Sequence, residues 1–188
     1  MKKFELTSES IVSIFGVKLF RIKALVSFGN VEEGELGGYI EKEENLNQFG
    51  DAWVSGDAEV SGDAWVSGDA EVSGNAWVSG NARVFGNARV FGNAEVSGDA
   101  WVSGDAEVSG NAEVKKLTHL FQLGAIGSRN GFTTFFRVKT NQIHVSCGCF
   151  LGDIEEFEKA VEKTHSGTKH ERTYKLAIQL AKEQIDLD

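Results

Sequence analysis

Two cysteines and four histidines are the residue types of this sequence that could carry nucleophilic or metal chemistry. Cys147 and Cys149 are separated by one residue, so on a strand their side chains would point the same way. With His144 or His165 they could bind zinc, and Cys149 with His165 could form a thiolate–imidazole pair. Small buried cysteines explain the same pattern. Because Cys-x-Cys has no second ligand pair, the sequence predicts no metal ion and no cofactor. It predicts no catalytic residue either, and Cys149 with His165 are the candidates only for the alternative that the protein is an enzyme.

A glycine-rich turn is the second place where chemistry could reside. The segment GAIGSRNG, residues 124–131, offers backbone N–H groups and the Arg129 guanidinium, which suit an anion or a nucleotide phosphate. A plain hairpin turn explains the glycines as well. The candidate ligand-binding residues are Ser128, Arg129, Asn130 and Thr133.

A six-residue repeat precedes these candidates and fills residues 50–115. Each of its eleven units reads Gly-[Asp/Asn]-Ala-x-Val-[Ser/Phe/Lys]. Period-two alternation puts Ala and Val on an inner face and the two variable residues outside, while Gly-Asp and Gly-Asn favour a turn at every corner. A six-residue period with one β-branched apolar residue per unit predicts a parallel β-helix.

The unit is similar to that of the hexapeptide-repeat family. VSGDAE, residues 54–59, follows the family pattern except that Ser, or Phe at 85 and 91, replaces the usual Gly. The resemblance implies a left-handed parallel β-helix of triangular section with three hexads per coil, and trimerisation about the prism axis. Acyltransferases of the family use a histidine between coils, but all four histidines of this chain lie beyond the repeat. The repeat therefore lacks the usual catalytic residue of these acyltransferases, and a hexapeptide-repeat transferase is kept only as an alternative.

Three hexads per coil place every third unit on the same face of the prism. The first face then carries Trp53, Glu71, Arg89 and Glu107, and the second carries Glu59, Trp77, Glu95 and Glu113. The third face has no acid at its strand centres, and a guanidinium between two indoles there predicts a cation–π ladder. Our interface candidates are Trp65, Arg83, Phe85 and Trp101. The alternatives are a ladder that only stabilises the β-helix and a stacking platform for a ligand ring.

The segment before the repeat predicts a cap. Two strands joined at Phe15-Gly16 would form a β-hairpin that covers the open end of the β-helix. Ile40 and Leu46 are six residues apart, but Val54 is eight further on, which predicts a first coil with a two-residue bulge.

The segment after the repeat predicts a separate module. Strand-like runs at Leu117–Leu123, Thr133–Val138 and Ile143–Phe150 precede two helices, the first with Asp153 at a capping-box spacing from Glu156. The expected fold is mainly β: an N-terminal β-hairpin cap (1–35), a left-handed parallel β-helix (36–115) and a small C-terminal α+β module (116–188).

Three further segments resemble small hexapeptide-repeat proteins encoded by phages and prophages. They are the opening FRIKAL…GELGGYIEKEENL, then GSRNGFTTFF, and finally CGCFLGDIEEFEKAV…TH. The resemblance spans nearly the whole chain and implies a viral or mobile-element origin, but it implies little chemistry.

The charge distribution limits the partners. The net charge is −9, and residues 50–115 hold eleven acids against three bases, which disfavours direct nucleic-acid binding. Acids can simply keep a repetitive β-surface soluble, or they can mimic a nucleic acid. No apolar run is long enough to span a membrane, the N-terminus lacks a signal-peptide pattern, and two cysteines are too few for a disulfide framework. We therefore expect no membrane association and a cytoplasmic location in the host cell.

Together these observations lead us to expect a non-enzymatic phage or prophage accessory protein. It would oligomerise through the β-helix, with a trimer favoured, and bind a host protein or a nucleotide-like small molecule, thereby inhibiting host anti-phage defence. The alternatives are a hexapeptide-repeat transferase or Cys/His-dependent enzyme, and an acidic nucleic-acid mimic.

Overall fold

The computed structural model describes residues 2–187, and the chain begins with an antiparallel hairpin. Its strands are β1 (Phe4–Val12) and β2 (Lys18–Ala24), and β2 pairs antiparallel with β3 (Leu36–Ile40). Phe4 and Ile22 are fully buried in the same core as the β-helix interior, so the hairpin closes that end of the β-helix.

The repeat forms eleven strands of two residues each, one per hexad. They are β4 (Trp53–Val54), β5 (Glu59–Val60), β6 (Trp65–Val66), β7 (Glu71–Val72), β8 (Trp77–Val78), β9 (Arg83–Val84), β10 (Arg89–Val90), β11 (Glu95–Val96), β12 (Trp101–Val102), β13 (Glu107–Val108) and β14 (Glu113–Val114). The strands stack in parallel and form the three faces of a β-solenoid of about four coils, which confirms the mainly β, parallel β-helix fold.

The register of this stack confirms the predicted columns. The first face consists of β4, β7, β10 and β13, the second of β5, β8, β11 and β14, and the third of β6, β9 and β12. Trp65 pairs with Arg83, and Arg83 with Trp101. The predicted two-residue bulge between Leu46 and Val54 is also confirmed. Leu46 pairs with Val66, 20 residues further on, whereas Val54 pairs with Val72, 18 residues further on.

Buried valines and alanines, together with close packing at the corners, hold the coils together. The valine and alanine of every hexad are at most 2% exposed. At the corners the backbone of one coil touches that of the next: Gly68 has φ +68°, and a Cβ built on it would lie 3.0 Å from the backbone nitrogen of Gly86. The corner therefore needs glycine both for its left-handed conformation and for the close approach.

The C-terminal module is a four-stranded antiparallel sheet with two helices. The strands are β15 (Leu120–Ile126), β16 (Gly131–Arg137), β17 (Ile143–Cys147) and β18 (Phe150–Asp153), and the helices are α1 (Ile154–His165) and α2 (Lys169–Gln184). The Asp153 side chain accepts a 2.7 Å hydrogen bond from the Glu156 N–H, which confirms the capping box.

The prediction of three strands in this module was wrong, because the third predicted strand, Ile143–Phe150, is interrupted at Gly148 and belongs to two strands, β17 and β18. Gly148 has φ +60° and reverses the chain between β17 and β18. Period-two alternation continues through Cys-Gly-Cys, so the pattern alone does not reveal the turn. The boundaries at residues 35 and 115 stay predictions.

The sheet of the C-terminal module lies between the β-helix and the two helices. Phe136 of β16 joins the core of the β-helix, whereas its neighbour Phe135 packs in a second core with Phe157 and Tyr174. The module is therefore packed onto the β-helix through one face of its sheet. Among residues 2–187, no helix is both long and apolar enough to cross a membrane.

Candidate functional site

A cavity of about 460 Å³ opens where the C-terminal module meets the last coil of the β-helix. Four parts of the chain line it: the first face of the β-helix, the β15–β16 turn, the β17–β18 turn, and the pair of helices α1 and α2. The lining residues are Asp105, Glu107, Ile126, Ser128, Arg129, Gly131, Phe132, Thr134, Ser146, Cys147, Gly148, Cys149, Phe150, Phe157, Ala160, Val161, Thr164, His165 and Tyr174.

Two of the four predicted ligand-binding residues line this cavity. Ser128 and Arg129 lie in the β15–β16 turn and face it. Asn130 has φ +50° in the same turn and is not part of the lining. Thr133 is fully buried and donates a 3.2 Å hydrogen bond to the Cys147 Sγ. The segment is therefore a hairpin turn that also brings a guanidinium to a cavity.

A contact with α2 holds this turn in place. Gly127 has φ +75°, and a Cβ built on it would lie 1.9 Å from the hydroxyl oxygen of Tyr174. Only glycine leaves room for the tyrosine there. The turn that carries Ser128 and Arg129 is thus fixed against α2.

The two catalytic candidates line the same cavity, but no hydrogen bond between them is found in residues 2–187. Cys149 is exposed in the β17–β18 turn, and His165 ends α1 with its ring 5.7 Å from that of Tyr174. Both cysteines line the cavity, but the prediction that they lie on one strand was wrong, because β17 ends at Cys147 and Cys149 lies in the turn. Gly148 turns the chain between them, so Cys147 contacts the core while Cys149 does not.

Cys147 is the cysteine with polar partners. Besides Thr133, its Sγ contacts the Tyr174 hydroxyl at 3.7 Å. Burial, followed by the hydrogen bond with Cys147, raises the pKa of Tyr174 to about 12, although the nearby Arg129 charge acts in the opposite direction. Tyr174 is therefore a neutral hydroxyl at physiological pH.

The β-helix contributes an acidic wall that sequence reasoning missed. Glu107 accepts hydrogen bonds from the Ser146 hydroxyl at 3.0 Å and from Arg89 Nη1 at 3.3 Å, and its backbone N–H donates to the Thr134 hydroxyl. The hexad pattern does predict that Glu107 points outward. It does not reveal that the C-terminal module covers this face.

The interface candidates form a column on the third face, with contacts on one side only. The Arg83 guanidinium lies 5.6 Å from the Trp101 ring centre, and the Phe85 ring lies 6.2 Å from that of Trp101. No comparable contact joins Arg83 to Trp65 in the described chain. The predicted ladder therefore has one cation–π step, and its role as an interface stays a prediction.

The other two tryptophans of the repeat are covered by the chain itself. Trp53 is 5% exposed and packs edge-on against Phe4 and Phe28, while Trp77 stacks on Phe15. By contrast, Trp65 is 37% and Trp101 is 48% exposed. The third face thus retains the open aromatic surface of the β-helix.

One family model matches the repeat: the YdcK beta solenoid repeat, at residues 76–90, 82–98 and 88–104. These overlapping matches cover only part of the chain, so the similarity supports a repeat of the β-solenoid type and not a family for the whole protein. No curated protein matches the sequence. The left-handed hexapeptide-repeat family and the phage origin remain interpretations of the sequence.

Proposed function

We propose that this protein is a non-enzymatic binding protein that holds a nucleotide-like small molecule between its C-terminal module and the last coil of the β-helix. The observation that carries the proposal is the cavity of about 460 Å³ with Arg129 in its wall. Small-molecule sites have volumes of about 300–1,000 Å³ and combine apolar walls with a few polar groups.

The lining supports this class of ligand. Phe132 and Phe150 offer aromatic surface to a planar ring, and Ser128 with Arg129 suits a phosphate group. Glu107 supplies a carboxylate that can accept hydrogen bonds from ring amino groups. In the described chain, neither Cys149 nor His165 has the hydrogen-bonded partner that an activated nucleophile needs, so a Cys/His-dependent enzyme has less support.

Calorimetric titration with AMP and GMP tests this proposal. We expect binding by the wild type and about tenfold or greater weakening in Arg129→Ala, because a charge-assisted hydrogen bond to phosphate is lost. Arg172→Ala is the matched control, since Arg172 is exposed on α2 outside the cavity. Absence of binding to either nucleotide, or equal binding by the two variants, would contradict it.

A second proposed function is self-association through the third face, with a trimer favoured. It is supported by Trp65 and Trp101, which stay exposed while the other tryptophans of the repeat are covered. Aromatic residues and arginine are enriched at protein interfaces. Native mass spectrometry tests this proposal, and a monomer at all accessible concentrations would contradict it.

The biological setting of these two functions rests on the resemblance to phage and prophage proteins. In that setting the protein is a phage accessory that takes up a nucleotide-like signal or a host protein and so inhibits host anti-phage defence. The acidic-mimic alternative predicts a different partner, a basic nucleic-acid-binding protein that elutes with this chain at low salt and dissociates at high salt.

A further inference from the structure

A second cavity, of about 290 Å³, opens on the second face of the β-helix. The tip of the N-terminal hairpin forms one side, with Ile14 and Phe15, and Lys139 from the β16–β17 turn approaches from the other. Between them lie the outward side chains of Glu59, Trp77 and Glu95. We call this cavity the second-face cleft.

Within residues 2–187, two carboxylates that line the second-face cleft lack a partner: Asp57, which is exposed, and Glu59, which is half-buried. Glu95 pairs with Lys139, and Glu113, one coil further along the same column, pairs with Arg137 and Lys115. Glu59 occupies the equivalent position and has neither an ion pair nor a side-chain hydrogen bond within residues 2–187. It is half-buried, and this burial raises its pKa. A cation placed next to Glu59 would offset the cost of that burial.

An aromatic wall stands beside this carboxylate. The Phe15 and Trp77 rings stack at 4.3 Å with an interplanar angle of 9°, and Trp77 neighbours Glu59 directly in the column. The indole N–H of Trp77 is buried and has no acceptor in the described chain. Two stacked rings next to a carboxylate form a surface for the apolar part of a cationic molecule, with its charge directed at the acid.

The charges that line the second-face cleft favour a positively charged ligand. Asp57, Glu59 and Glu95 line it, and Lys139 is the single cation of its lining. Because Lys139 already pairs with Glu95, a phosphate or carboxylate ligand would meet two uncompensated acids. An ammonium or guanidinium group would be attracted by both.

We propose that the second-face cleft binds a small organic cation, whose ammonium or guanidinium group pairs with Glu59 and whose stem packs on Phe15 and Trp77. This site is separate from the nucleotide cavity and does not depend on it. Its volume, near the lower limit of small-molecule sites, fits a short amine rather than a larger cofactor.

Titration with agmatine, followed through the indole N–H signals in ¹H–¹⁵N spectra, tests the proposal. Trp77→Phe identifies the Trp77 signal, which we expect to shift on titration, while the signals of Trp65 and Trp101 stay in place. Glu59→Gln should weaken binding about tenfold or more, because a hydrogen bond between charged groups is lost. The matched control is Glu71→Gln, at the same hexad position on the first face, and it should bind as the wild type does.

Three results would overturn the proposal. The first is that agmatine does not shift the Trp77 signal. The second is that Glu59→Gln binds agmatine as tightly as the wild type does, and the third is that neutral butanol binds as tightly as agmatine. The first excludes the site, the second assigns the effect to the general acidity of the surface, and the third to the apolar wall alone. A parallel titration with N-acetylarginine amide, which keeps the guanidinium but lacks the ammonium group of agmatine, shows which of the two cationic groups pairs with Glu59.

Discussion

Arg83 and Arg89 occupy the same position in neighbouring hexads, but their surroundings differ. Arg89 lies on the first face between Glu71 and Glu107 and is within 3.3 Å of an oxygen of each. Arg83 lies on the third face, has no ion pair in the described chain, and contacts Trp101. Reversal of each charge to glutamate should therefore have different consequences.

The two changes differ in their expected effect on stability. Arg89→Glu removes two exposed ion pairs of about 0.5 kcal/mol each and a cation–π contact with Phe91 of about 0.5 kcal/mol. It also puts three carboxylates in one column, for a total cost of about 2 kcal/mol. In a chain of this size that lowers the melting temperature by about 4–6 °C. Arg83→Glu loses one exposed cation–π contact, worth about 0.5–1 kcal/mol, and the melting temperature should fall by about 2 °C.

The effects on assembly should be the reverse. If the third face is the interface, Arg83→Glu should elute as a smaller species than the wild type in size-exclusion chromatography, while Arg89→Glu elutes with the wild type. Thermal melts are compared at concentrations where the wild type has dissociated, so that loss of assembly does not contribute to the melting temperature. Equal elution and equal melting temperatures of the two variants would refute the assignment of the third face.

Two further predictions concern the frame that holds the sites. Gly68→Ala should lower the free energy of unfolding in urea by several kcal/mol, because the added Cβ meets the next coil. Gly110 has φ +65° and no atom within 4 Å of an added Cβ, so Gly110→Ala should cost only the conformational strain of about 1–2 kcal/mol. Equal costs would show that the contact between coils is unimportant. His119 accepts a hydrogen bond from the Lys115 N–H at the junction of β-helix and module, and burial, more than the Arg137 charge, lowers its pKa. The unfolded state therefore binds more protons, and stability should fall as the pH drops below about 6.5, less steeply in His119→Gln than in the control His170→Gln.

The repeat could be predicted almost completely because every hexad follows the same pattern and stacks on the next coil in the same way. Each hexad repeats the same turn and the same inward valine, so one rule sets every coil and every column. Trp65 and Arg83 could therefore be placed one above the other from spacing alone. The two-residue bulge was visible in the same way, as an interruption of the spacing between Leu46 and Val54.

The cavity was only half predictable, because its walls come from segments that no repeat relates. The turn with Ser128 and Arg129 is visible as a glycine-rich motif, yet the participation of Glu107 depends on which face the C-terminal module covers. The stacking of Phe15 on Trp77 likewise depends on the path of the hairpin tip. The hexad pattern predicts which side chains point outward. It does not predict which of them another segment covers, because that depends on tertiary packing.

The four tryptophans of the repeat show the difference between what the hexad pattern determines and what the flanking segments determine. All four stand at the same hexad position and point outward, yet the N-terminal segment covers Trp53 and Trp77 and leaves Trp65 and Trp101 exposed. A ladder that served only the stability of the coils would not require this difference, since outward side chains of a sheet stabilise it on any face. The flanking segments therefore give the three faces different surroundings. The first face forms a wall of the larger cavity, the second holds the cleft with Glu59, and the third keeps an open aromatic surface on which Arg83 contacts Trp101. Because this difference arises outside the repeat, exchanging hexads between faces should move the exposed tryptophans without changing the coil, and assembly should follow the exposed pair.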